Sequence, residues 1–91
     1  MAKSIQKVMT RGVQNLRCSE GVLENMFQKA TELLPKSNFI SFDPNGGQVN
    51  ISNGDGVQLG TLNTLLPTKI WVIFDDYGDR FVATALLPSE Y

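Results

Sequence analysis

Asp75, Asp76 and Asp79 crowd the stretch "DDYGD" and offer hard oxygen donors of the kind that take Ca²⁺ or Mg²⁺. Paired carboxylates can also divide acid and base roles. The same residue types belong in a tight turn, because Asp hydrogen-bonds its own backbone and Gly accepts positive φ. The turn reading is preferred, and no metal or other cofactor is expected. A second stretch, "DPNGGQ" from Asp43 to Gln48, follows the start of a calcium loop only loosely. Gln48 stands where such a loop needs its glycine, and Gly54 where it needs a bidentate acid.

Other common chemistries lack their residues. The chain has no histidine, so Ser-His-Asp triads, Cys-His dyads and imidazole ligands are absent unless a partner supplies the group. Its single cysteine, Cys18, precedes an expected helix whose N-terminus would lower the thiol pKa, but an incidental or structural thiol is the preferred reading. Gly46, Gly47, Gly54, Gly56 and Gly60 are followed by no Gly-Lys-Ser/Thr, and so punctuate hairpins rather than cradle phosphate. No catalytic residue is assigned. A small enzyme or ligand-binding domain without a recognisable motif stays as an alternative and would have to draw on Asp, Glu, Lys, Cys18 or a tyrosine.

Charge is unevenly distributed along the chain. Lys3, Lys7, Arg11 and Arg17 open it without an acid, whereas residues 18–91 hold four cations and nine acids, a net −5. Lys3, Lys7 and Arg11 recur at a spacing that stripes one side of a helix, which could track phosphates or an acidic protein surface. It is also where an amphipathic helix puts its solvated residues, and no aromatic interleaves the cations for base stacking. The solvated-face reading is preferred, with a nucleic-acid-binding module as the alternative.

The elements that must position these residues follow from periodicity. Ile5, Val8, Met9, Gly12, Val13 and Leu16 gather on one side at helical spacing, predicting a first helix over 3–17. Val22, Leu23, Met26, Phe27, Ala30, Leu33 and Leu34 predict a second over 20–34, with Ser19 as N-cap and Pro35 beyond its end. From residue 38 the pattern becomes strand-like. Strands are expected at Phe39–Asp43 and Gln48–Ser52, a third near Val57, then a turn of helix over Leu62, Leu65 and Leu66. "KIWVIFD" and "RFVATALL" read as a closing hairpin with Asp75 opposite Arg80.

In that hairpin Ile70, Val72, Phe74, Phe81, Ala83 and Ala85 share one face, and Trp71, Ile73, Val82, Thr84 and Leu86 the other. Helices can cover only one of two apolar faces, so the second needs its own cover. Leu62, Leu65 and Leu66 could fold over it, or the sheet could curl upon itself. Alternatively Trp71, Ile73, Val82 and Leu86 form an interface with another protein or a second copy, rimmed by Asp75, Asp76 and Asp79.

The expectation is therefore a single α+β domain over 1–91. Two N-terminal helices pack on one face of a four- or five-stranded antiparallel meander sheet over about residues 39–87. Its expected role is that of a small non-enzymatic protein-binding, regulatory or accessory module, with a homodimer as one form it could take. The lone cysteine and the lack of a signal-peptide pattern suggest a cytoplasmic setting, and no apolar run approaches the roughly 20 residues that span a bilayer.

Overall fold

Six strands, β1 (Ser4–Met9), β2 (Phe39–Asn45), β3 (Gln48–Ser52), β4 (Gln58–Leu62), β5 (Ile70–Asp76) and β6 (Arg80–Leu86), form one sheet in the order β1-β6-β5-β2-β3-β4. Helices α1 (Arg11–Asn15) and α2 (Glu20–Leu33) follow β1, and a 3₁₀ turn at Pro88–Glu90 follows β6. This computed structural model describes residues 4–17 and 19–91. Lys3 and Cys18 lie outside the described residues.

The core is a single cluster between the helices and one sheet face. α2 begins where Ser19 Oγ accepts the Val22 amide at 3.2 Å, with Glu20 near the positive end of the helix dipole. It buries Met26, Phe27, Ala30 and Leu33 against Ile40, Phe42, Val49, Ile51, Ile70 and Val72. The strand registers place these sheet residues on one side, Ile40 opposite Val72 and Phe42 opposite both Ile70 and Ile51. Each large side chain so buried contributes roughly 1.5–3 kcal/mol. Ala83 and Ala85 are fully buried, and their small side chains leave room for α1, which packs on β1 and β6 through Val13.

The expected pair of N-terminal helices on an antiparallel meander is not what forms. Ser4–Met9 is a strand, parallel to β6 in the register Ile5–Phe81 through Met9–Ala85, and the sheet is six-stranded and mixed. Only Arg11–Asn15 remains helical in that segment. Ile5 and Met9 reach the core at strand spacing as well as at helical spacing, so the apolar pattern alone does not separate the two. Pairing with β6 satisfies an otherwise open backbone edge, and β-branched Ile5 and Val8 favour extended chain. Thr10 ends the strand and caps α1, its hydroxyl accepting from the Val13 amide.

Two smaller expectations also change. Leu62 closes β4 and no helical turn follows it; Leu62 and Leu66 pack on the helix-side core while Leu65 is 72 % exposed, so they do not cover the other face. In the last hairpin Asp75 faces Val82 rather than Arg80, because the Tyr77 amide bonds the Arg80 carbonyl at 2.8 Å and shortens the loop. That shift amounts to two residues, which leaves every side chain on its expected face.

Candidate functional site

With α1 and α2 on one side, the other side of the sheet carries an aromatic row. β2 and β5 pair Phe39 with Ile73 and Ser41 with Trp71. The Phe39 and Trp71 rings lie 4.9 Å apart and tilted by 60°. Tyr91 stands edge-on to Trp71 at 5.7 Å. Such offset and edge-to-face pairs add about 0.5–1.5 kcal/mol beyond burial. Ile73, Val82 and Thr84 continue the surface half-buried, and Val8 on β1 is 37 % exposed. The β3–β4 loop closes one end of the row. Gly54, at φ +87°, lies so close to Phe39 that a Cβ there would stand 2.7 Å from the ring.

Trp71, Ile73, Val82 and Leu86 share this face, with Leu86 directly opposite Trp71. Leu86 differs from the others. It is only 7 % exposed and lies outside the main core cluster, at the point where the chain turns into Leu87–Tyr91. That C-terminal segment is anchored by Glu90, whose carboxylate accepts from the Thr10 hydroxyl, the Leu87 amide at 2.8 Å and the Gly12 amide at 3.1 Å. The Thr10 hydrogen bond leads, followed by the Leu87 amide, in holding the carboxyl below its ordinary pKa.

The three turn carboxylates do not converge. Asp75 is opposite Val82 on the aromatic side, Asp76 is opposite Phe81 on the helix side and accepts the Gly78 amide at 2.8 Å, and Asp79 pairs with Arg80 at 3.1 Å. Among the described residues no group of three or more potential ligands is arranged to hold a metal ion. Of the cations, Lys7 points to the helix side and pairs with Glu24 at 3.0 Å, while Arg11 begins α1, so these two form no helical stripe. Lys69 and Arg80, both towards the aromatic side, are engaged with Asp43 at 3.6 Å and with Asp79.

Sequence reasoning missed Phe39, Tyr91 and Glu90. Phe39 carries a signal in retrospect, since it opens a strand whose alternate residues Ile40 and Phe42 are wholly buried, leaving its own ring on the other face. The contacts of Tyr91 and Glu90 cross almost the whole chain or depend on the C-terminal turn, and no local pattern announces them.

A separate cleft of about 340 Å³ runs between β1 and α2, lined by Lys7, Met9, Glu20, Leu23, Glu24 and Phe27. β1 is an edge strand. Its Thr10 end donates to Ala85 O at 3.0 Å, so the alternation of the ladder turns the backbone groups of Ile5 and Lys7 outward, away from β6. Gln14 Nε2 takes the outward carbonyl of Met9 at 3.0 Å.

The fold and surfaces define a small protein with a mixed sheet, helices on one face and an aromatic row on the other. No family model matches the chain, and neither a curated protein nor a solved structure gives a match. Among the described residues no helix is long and apolar enough to cross a membrane.

Proposed function

We propose that this protein is a small non-enzymatic binding or regulatory module whose contact surface is the open sheet face, and that the partner this face fits is a second copy of the chain. The observation that carries the reading is the row of Phe39 and Trp71 continued by Ile73 and Val82, half-buried on a face that neither helix covers. Contiguous apolar surface of this kind marks interaction sites, and Trp and Tyr are frequent anchors within them. Lys69 and Arg80 are already paired with Asp43 and Asp79, which leaves a rim carrying little unbalanced charge. A two-fold contact brings the same patch together from both subunits and needs such self-compatibility. A chain of 91 residues also gains from completing its core with a neighbour.

Nucleic acid has less support as the partner. Lys7 is engaged by Glu24, Lys69 and Arg80 by Asp43 and Asp79, and phosphates following the aromatic row would meet the Asp75 carboxylate at its margin.

The test is molar mass by light scattering over a wide concentration range for the wild type, Trp71→Glu and Val82→Glu, with circular dichroism to confirm folding. A wild-type dimer that either substitution converts into a folded monomer supports the proposal. A wild type that stays monomeric at every concentration rejects self-association through this face.

A further inference from the structure

We propose that the outer edge of β1 and the cleft beside α2 form a docking site for an extended peptide segment that carries an apolar side chain and, two residues away, a lysine or arginine. This site lies at the sheet edge and on the helix side, so it stands independently of the open aromatic face.

The first observation is the edge. Ile5 and Lys7 turn their backbone N–H and C=O groups away from β6, and no described strand pairs with them. An added strand would satisfy them through main-chain hydrogen bonds, the mode in which sheet edges capture extended peptides. The second is the cleft on the helix side of that edge, where Met9, Leu23 and Phe27 offer an apolar floor and wall. A side chain from the added strand that points to the helix side would lean into it.

The third observation is charge and its spacing. Glu20 and Glu24 stand one helical turn apart on the cleft wall, whereas among the described residues Lys7 is the single cation lining it and is already bound to Glu24. The rim therefore carries excess negative charge and favours a cationic visitor. Residues one turn apart on a helix are about 5–6 Å apart, close to the roughly 6.6 Å between alternate side chains of a strand. An apolar residue over Leu23 and Phe27 thus places the next same-side residue near a carboxylate. At the opposite edge, β4, Gly60 lies against the Lys29 side chain. A second copy is the poorer occupant, because β1 paired antiparallel with itself about Lys7 sets two lysines against each other.

The experiment is an NMR titration of the ¹⁵N-labelled full chain with the capped peptide acetyl-Thr-Lys-Thr-Leu-Thr-amide. Two comparison peptides have Glu in place of Lys, or backbone N-methyl groups on the side that would meet β1. Saturable shifts gathered at Ile5, Lys7, Leu23 and Phe27 are expected. An exposed ion pair and the repulsion that replaces it each amount to roughly threefold in affinity, so the Glu peptide should bind about tenfold more weakly. N-methylation should abolish binding. The proposal is overturned if no saturable shifts appear at millimolar peptide, if they gather instead around Trp71, or if the Glu and N-methyl peptides bind as well as the first. Because all arms use the wild-type protein, none depends on a variant folding.

Discussion

The Glu90 carboxylate occupies the space that a side chain on Gly12 would need. It accepts the Gly12 amide at 3.1 Å, and a Cβ built on Gly12 would stand 2.7 Å from Glu90 Cδ. Gly12 is thus explained by room rather than by unusual backbone angles. The contact ties the end of the chain to the first turn of α1 and holds Tyr91 beside Trp71.

Acidification should release this tie. The folded-state pKa of Glu90 is depressed by the Thr10 hydroxyl first and the Leu87 amide next. Its stabilising contribution is therefore complete above the ordinary carboxyl value of 4.5 and lost as pH falls through the lower folded value. Trp71 is the single tryptophan and reports on its neighbour Tyr91. Its emission should change as pH falls through that lower folded value in the wild type. Glu90→Gln should show the altered emission already at neutral pH, and an identical acid response in both proteins would contradict the linkage. Gly12→Ala should resemble Glu90→Gln, since it displaces the same carboxylate.

Gly54→Ala should be costly for two reasons that act together. The position holds φ +87°, which an alanine adopts only with strain, and the new methyl would overlap the Phe39 ring. A loss of about 2 kcal/mol or more in urea denaturation is expected. A loss under ~0.5 kcal/mol would mean that the loop and ring separate freely.

Arg17 shows the opposite case. It is the single non-glycine residue with positive φ among the described residues, at 56°, just after the Leu16 cap of α1. Glycine suits that left-handed position at a helix end. Arg17→Gly should therefore raise stability by on the order of 0.5 kcal/mol, the relieved strain exceeding the added freedom of the unfolded chain. A clear decrease in the denaturation midpoint would show that the arginine side chain matters more than its backbone angle.

The pair Leu65 and Leu66 separates core from surface within two adjacent residues. Leu66 is 8 % exposed and belongs to the core, while Leu65 is 72 % exposed. Leu66→Ala should cost roughly 2–5 kcal/mol, and Leu65→Ala should fall within about 0.5 kcal/mol of wild type. Comparable losses at both would return Leu65 to a covering role.

How much was legible in the sequence depends on the range of the deciding interactions. α2 was readable because its cap at Ser19 and its apolar stripe lie within a few turns of one another. The last hairpin was readable down to the composition of its faces, since side chains alternate with period two whatever the loop length. Even the misplaced register, off by two residues, left Trp71, Ile73 and Val82 on one face and Val72 and Phe74 on the other.

By itself, then, the sequence determined the second helix, the hairpins, the two apolar faces of the closing strands and the lack of histidine chemistry. Only the tertiary structure decided the rest. Residues 4–9 suit either period, and it is a parallel ladder with β6, at the far end of the chain, that makes them a strand. With Lys7 in that strand, the basic stripe dissolves into a Lys7–Glu24 ion pair, and a cleft opens between β1 and α2. Which carboxylate meets which amide was equally hidden, because the Glu90 tie joins residues 78 and 80 positions apart. Local propensity acts over a few residues, whereas edge pairing and long-range hydrogen bonds are set by what the assembled sheet leaves unsatisfied.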